Sequence, residues 1–402
     1  MSMEAVHNVK KSRSFNVQWL SRLDDIAALK DGWLELETAV KQRSVFSTYN
    51  WVVSWYQHYA GVRGEPLVGI AREGGQLIGI APLIYSKRTL GKVPVSRVDF
   101  AGHDAEAGEF LVLDEAPELV GNFLYSLYGQ LRFDVICLSG FDSKSETFRS
   151  LHKTAEALGL HLELLNYSYA TVDLKSGYEV YCRAMSRNFR RNLKRQAERI
   201  AAAGPVKIDR IHAGGGYQEL PGYLTRMFSI ADLSWKVKVG GPMAKHVRGF
   251  YEDIILKFVQ CRTADLAILS INGTDAAYIL GFVERGVYYD VTISFNDAFK
   301  ELSPGAYLMQ EIMKVLPESG IHTIISHGDH EYKQRWATAF IPQSRVFIFS
   351  SRVNAILSRA IKFMLPRALT QIKRTASILN RRSNSSDQGR KEDVGLQKPQ
   401  EA

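Results

Sequence analysis

VYYDVTISFNDAFKELSPGAYLMQEIMKVLPESGIHTIISHGDHEYKQRW, residues 287–336, holds the pattern on which the fold turns. It reads as a strand, a long loop, a helix, a strand and a polar loop. Ser303 is a good N-cap, and Pro304 suits the first helical position because the N–H it lacks would be an orphan there. Leu308, Met309, Ile312, Val315 and Leu316 recur at helical spacing. Pro317 and Gly320 then stop the helix. Gly305, in the first turn, weakens the helix relative to Ala. It is easier to explain if something must come close to the backbone. A helix N-terminus with free N–H groups suits a phosphate, although an ordinary helix start accounts for the same residues.

The chain has 402 residues, 46% hydrophobic and 23% charged, which fits two or three globular domains with a proper core. Cys137, Cys182 and Cys261 are far apart and match neither a disulfide framework nor a CxxC site, so a reducing compartment is expected. The N-terminus shows no apolar signal-peptide core, and no run is long enough to span a membrane. The net charge of +9 is local. Residues 346–402 hold 11 Lys+Arg against 4 Asp+Glu, and the other 345 residues hold 40 against 38. A nearly neutral body argues against a general nucleic-acid binder.

Along the chain, 1–15 reads as a disordered leader. Helices are expected at 23–43 and 49–60. Strands LVGIAR and LIGIAPLIY follow around Gly74-Gly75, a β-hairpin. Strands near 97–100 and 110–113, a helix near 117–131, the strand FDVICL (133–138), a helix near 147–158 and a strand near 160–165 complete the first half. The second half repeats this order: a helix at 246–261, strands LAILSI and AAYILGFV around Asn272-Gly273, strand 287–294, helix 303–316 and strand 321–326. We therefore expect an α/β (α+β) protein of two tandem units of one fold, 16–170 and 171–345. The first unit has no Ser-Pro-Gly counterpart, so only the second is expected to bind a cofactor there.

Two basic stretches stand out. In 186–200, Phe189, Leu193, Ala197 and Ile200 form a stripe, and Arg187, Arg190, Arg191, Lys194, Arg195 and Arg199 cover the rest. This is either a solvated face or a site for an anionic partner: cofactor phosphates, an anionic sugar or lipid, or RNA. In the tail 346–402, residues 351–382 form an amphipathic helix interrupted at Pro366, with no acid before Asp387. Such a helix can lie in an anionic membrane surface or cover an apolar patch of its own domain. A polar, disordered end is expected from 383.

No nucleophile–base arrangement, GxGxxG, P-loop or HExxH is present. His327, Asp329 and His330 are too few for a metal site, and none is expected. Ser326 ends a buried strand, and polar groups just past strand ends tend to line a cleft. Asp329, Glu331, Tyr332 and Lys333 would then face the end of helix 303–316, with a carboxylate to take a proton and a phenol to return one. Asp290, inside an apolar strand, is either a paired structural acid or a base. Trp235, in a polar neighbourhood, can stack on a sugar or cover a cofactor.

Together, Ser234-Trp235-Lys236, the hairpin around Asn272-Gly273, Tyr288-Tyr289-Asp290, SPGAYL (303–308) and GDHEYKQRW (328–336) resemble the CelD/BcsL-type acetyltransferases of the GNAT superfamily, found in bacterial cellulose and exopolysaccharide gene clusters. The resemblance implies tandem GNAT-like domains, each a mixed, mostly antiparallel sheet flanked by helices. It implies acetyl-CoA or another acyl-CoA as co-substrate, with the pyrophosphate on Ser303 and the N–H groups of Gly305, Ala306 and Tyr307. The expected reaction is direct transfer to an amine or hydroxyl of a sugar, polysaccharide precursor or lipid-linked glycan. Asp329 or Asp290 would be the base and Tyr332 the acid. Lys333 would bind the cofactor, and Trp235, Lys236, Arg190 and Arg335 the acceptor. Two alternatives are a FemAB-like transferase using aminoacyl-tRNA on a cell-wall precursor, and a non-catalytic accessory protein of exopolysaccharide synthesis. The expected location is the cytoplasm, at the inner face of the membrane if the tail binds there.

Overall fold

The computed structural model describes residues 15–41, 43–102, 108–212, 215, 217–238, 243–327 and 331–371, without the side chains of Glu331 and Tyr332. The expected leader, except Phe15, and everything from 372 onward lie outside the described residues. The strands are β1 (Val17–Leu20), β2 (Glu65–Glu73), β3 (Gln76–Leu90), β4 (Val93–Phe100), β5 (Leu111–Val112), β6 (Val135–Phe141), β7 (His161–Asp173), β8 (Val206–Ile211), β9 (Ala264–Ile271), β10 (Thr274–Glu284), β11 (Val287–Phe295), β12 (Thr323–Ser326) and β13 (Ala339–Phe349). They form one sheet in the order β1-β2-β3-β4-β6-β13-β7-β12-β11-β10-β9-β8, with β5 on β3.

The repeat is visible in the pairing. Each half opens with an antiparallel hairpin, β2-β3 and β9-β10. Both turns have positive φ at successive residues, Gly74 and Gly75 in one and Asn272 and Gly273 in the other. That geometry matches the right-handed twist of the strands and favours Gly and Asn. Each half then makes one parallel pair, β4 with β6 and β11 with β12. The crossover helices are Leu119–Gln130 and Pro304–Val315. All other pairs are antiparallel, so the architecture is a mixed, mostly antiparallel sheet flanked by helices.

Three expectations need correction. The strand expected at 160–165 runs to Asp173. Its first part pairs with β13, and residues 170–173 pair with β12. β13 was not foreseen as a strand, and it returns to lie between β6 and β7. The strand that flanks β6 thus comes from the C-terminal part of the chain, and the strand that flanks β12 comes from the first half. Finally, the helix expected over 23–43 divides into Leu23–Ala27 and Lys30–Ala39. Between them the Leu29 N–H bonds the Ile26 carbonyl three residues back, tightening the turn.

Past β13, Val353–Arg359 continues through a π-helical stretch, Ala360–Met364, to residue 371. Pro366 does not end it. Proline has no N–H and crowds the carbonyl four residues back, and the wider π-turn just before it relieves that clash. No helix among the described residues is long and apolar enough to cross a membrane.

The helix Lys30–Ala39 is clamped to the second half. Arg285, in the β10–β11 turn, donates to the carbonyls of Glu37, Thr38, Val40 and Lys41. Arg43 lies 3.7 Å from the Glu37 carboxylate and 2.9 Å from Glu284. Burial pushes the Glu37 carboxyl up from 4.5 to about 7; the Tyr49 N–H and Arg43 oppose this, Glu284 adds to it and Arg285 opposes it. In the unfolded chain this group ionises at its ordinary pKa, so stability from it is intact below pH 4.5 and lost as the pH rises through 7. We expect Glu37→Gln to match the wild type near pH 4.5 and to exceed it above pH 7, by up to about 3 kcal/mol. Denaturant melts across that range check this, and a pH-independent difference would contradict it.

Candidate active site

The parallel strands β11 and β12 stay paired only from Val287–Thr323 to Asp290–Ser326. At that point β11 carries a bulge: Gly281 of β10 faces Asp290 and Leu280 faces Thr292, so Val291 has no opposite number. A bulge bends its strand and re-aims its side chains. Here Asp290, Ile293 and Phe295 all come to line one pocket, where strict alternation would divide them.

The pocket has a volume of about 640 Å³. Its floor is β11, β12 and the end of β7, with Ile293, Ile324 and Val172. One wall is the helix Arg187–Ala202, through Phe189, Asn192, Leu193, Gln196 and Arg199. The facing wall is the helix Pro304–Val315, through Gly305, Ala306, Met309 and Met313. Trp235 and Lys236 stand at the rim, and Lys333, Arg335 and Trp336 close the remaining side. Phe189 meets Trp336 edge-on at 5.1 Å.

Asp290 is 3% exposed. Its Oδ2 accepts from the Ser326 hydroxyl at 2.9 Å and lies 3.6 Å from Lys333 Nζ. Its Oδ1 is buried with no hydrogen-bond partner. The structural pairing expected of a buried acid is present on one oxygen, while the other has no partner, and Asp290 lines the pocket. Lys333 also donates to the His327 carbonyl at 2.5 Å. Lys236 donates to the Ile293 carbonyl at 2.6 Å. Burial pushes the Lys236 ammonium below its usual pKa, opposed by Asp290 and reinforced by Lys333.

The helix start differs from expectation. Ser303 is left-handed, φ 51°, and its side chain caps nothing. The chain enters from a 3₁₀ turn, Asp297–Leu302, and reverses at Ser303, which leaves its carbonyl to collect the hydrogen bonds. The Ala306 and Tyr307 N–H groups donate to that carbonyl, as does the Gln196 side chain at 2.5 Å. A Cβ on Gly305 would lie 3.2 Å from Ile293 Cδ1. The backbone therefore approaches β11 closely, which accounts for the glycine without a ligand.

The structure brings Asp290, Ser303, Gly305, Ala306, Lys333, Trp235, Lys236 and Arg335 to one pocket. Tyr307 is half-buried and does not line it; burial raises its phenol, and Glu311 adds to the effect. Arg190 is exposed and also absent from the lining, where Arg199, further along the same helix, takes part. Asp329 and the Tyr332 side chain lie outside the described residues. His327 packs among Phe46, Tyr169 and Tyr289, and among the described residues no group of three or more His, Cys, Asp or Glu could hold a metal. Gln196 and Asn192 were missed. Their signal was their position, one helical turn apart beside Leu193 on the inward face.

The family model described as an acetyltransferase (GNAT) domain matches residues 187–334, which contain both pocket walls and Asp290. No curated protein matches the chain. Similar solved structures include the C-terminal DUF2156 domain of a candidate lysylphosphatidylglycerol synthetase from Agrobacterium fabrum, at 14% identity over 83% of this chain and 94% of that one, TM-score 0.51. FemX is similar at 10% identity over 86% of this chain and 100% of its own, TM-score 0.52. At such identities the likeness is one of fold.

Gln196 ties one pocket wall to the start of the other. We expect Gln196→Leu to lower stability by about 1 kcal/mol, the worth of a hydrogen bond to a carbonyl that keeps other partners. Urea denaturation measures this, and an unchanged midpoint would show that the tie is idle.

Proposed function

We propose that the protein, an acyltransferase by its GNAT domain, moves an acetyl or similar acyl group from acyl-CoA directly to an amine or hydroxyl on a sugar, polysaccharide precursor or lipid-linked glycan. The observation that carries this is the spare, buried Oδ1 of Asp290 at the floor of a pocket that is otherwise mostly apolar. A carboxylate oxygen with no other partner is suited to receive a proton.

The pocket residues fit the donor. Arg199 and Lys300 offer positive charge and Gly305 one backbone N–H at one end, where a pyrophosphate would be held; the Ala306 and Tyr307 N–H groups are already given to the Ser303 carbonyl. Met309, Leu193 and Phe189 offer apolar walls for the less polar arm. Asp290 then takes the proton that the acceptor loses as its nitrogen or oxygen bonds to the acyl carbon. The carbon–sulfur bond breaks in the same exchange. Lys333 and Lys236 meet the negative charge on the departing sulfur, which takes its proton from solvent. Trp235, 50% exposed at the rim, offers an aromatic face on which a sugar ring can stack. A donor of this kind is a cytoplasmic metabolite, which favours that compartment.

One observation favours a second reading, transfer from an aminoacyl-tRNA. Arg187, Arg190, Arg191, Lys194 and Arg195 are exposed on the helix that forms the pocket wall. An open depression lined by Asn192, Arg195, Glu198, Arg199 and Ala202 adjoins the pocket through Asn192 and Arg199. A polyanion could lie along it.

Calorimetry with acetyl-CoA separates the two. We expect binding by the wild type, and we expect Asp290→Asn to change affinity less than threefold while lowering kcat by about 100-fold or more. A wild type that ignores acetyl-CoA but transfers from aminoacyl-tRNA would replace the first reading with the second. An Asp290→Asn variant as active as wild type would remove the carboxylate from the chemistry.

A further inference from the structure

The terminal helix is docked by one side only. Ala355, Ser358 and Phe363 are buried against the sheet, and Phe363 packs edge-on to Phe347 and Phe349 of β13. Arg352 pairs with Asp134 at 2.9 Å, and Arg359 and Arg367 both pair with Glu163, at 2.9 and 2.8 Å. These bonds fix the helix in rotation. The other side stays in solvent: Val353 is 71% exposed, Ile356 53%, Leu357 48%, Leu365 53% and Leu369 58%. Large apolar side chains left uncovered in a row mark an interaction surface.

The row is straight because of the π-turn. Val353, Leu357, Ile361, Leu365 and Leu369 are spaced by four. In an unbroken α-helix of 3.6 residues per turn, that spacing drifts by about 40° at each step and would wind the stripe round toward the sheet. The π-turn at Ala360–Met364 takes up one extra residue and turns the second half back by about 100°. Leu365 and Leu369 thus return to the face that carries Val353 and Leu357.

We propose that this face is a docking surface for an anionic lipid bilayer, with the helix lying in the plane of the interface. Charge selects the occupant. Between Ser351 and Ser386 the sequence has eight Lys or Arg and no acid. Three of those basic residues are held by the body. Lys373, Arg374, Arg381 and Arg382 follow directly in sequence. A basic stretch next in sequence to an uncovered apolar stripe attracts acidic headgroups while the stripe enters the acyl boundary. A second copy of the chain would bring the same positive charge to this face and repel it.

The full-length protein is to be sedimented with vesicles of phosphatidylcholine and phosphatidylglycerol at 3:1, and with phosphatidylcholine alone. We expect binding to the anionic vesicles, at least tenfold weaker binding to the neutral ones, and weakening in 0.5 M salt. Leu357→Glu with Leu365→Glu alters two exposed side chains, so the variant should melt with the wild type yet lose at least tenfold in vesicle affinity. Were that variant to fail to fold, Leu369→Glu alone gives the same readout. The proposal is overturned if the wild type ignores anionic vesicles, if neutral vesicles bind equally well, if the variant binds undiminished, or if sedimentation velocity shows a dimer that the variant dissolves.

Discussion

A carboxylate at 3% exposure must have partners. For Asp290 they are Ser326, the last residue of β12, and Lys333, which also donates to the His327 carbonyl just past β12. β12 is four residues long. So short a strand holds its place only when paired on both edges, here by β11 on one side and residues 170–173 of β7 on the other. β7 in turn reaches that far because β13 pairs with the length of it from His161 to Thr171. The setting of one buried acid therefore runs back through three strands to the exchange between the halves. The family match ends at 334, yet the chain beyond it braces the strand that carries Ser326.

The pocket opens where β11 bulges and its parallel register with β12 ends. Val291 ends the register, and the floor widens just as the Pro304–Val315 helix begins above it. Each device has a local cause: Gly305 lets the helix start close to Ile293, and the left-handed Ser303 turns its carbonyl to Gln196 and to the first N–H groups. Holding a non-glycine residue there is unfavourable. The hydrogen bonds to that carbonyl offset it and tie the two pocket walls together.

The parts of this arrangement legible in the sequence are those with a period or a turn signal. The stripe at Leu308, Met309 and Ile312, the Gly74-Gly75 and Asn272-Gly273 turns and the repeated element order all specify local geometry, and the fold class follows from them. Asp290 stood out because a charge inside YYDVTIS is chemically costly. What stayed hidden is long-range. Nothing in AFIPQSRVFIF shows that it pairs with residues some two hundred positions earlier, and NYSYATVD is polar enough to conceal the second half of β7. Ser303 misled because Ser-Pro reads as a cap, while the dihedral was set by the 3₁₀ turn before it. Arg190 and Arg199 look alike in sequence, and only the angle of the helix decides which reaches the pocket.

The first half shows why the repeat did not yield two equal sites. β4 and β6 also part after a short parallel register, Arg97–Val135 to Asp99–Cys137, and a depression of about 490 Å³ lies nearby. Among the described residues its lining includes Glu109, Asp114, Asp142 and Glu146 and no Lys, Arg or His. Four acids give this depression the opposite charge from the second-half pocket, whose lining carries Arg199 and Lys300. The vacancy beside β6 is taken instead by β13, which in the second half would correspond to β7 beside β12. One copy of the fold keeps the buried carboxylate, Asp290. The other uses the same topology to anchor the strand that keeps β7, and through it Asp290, in place.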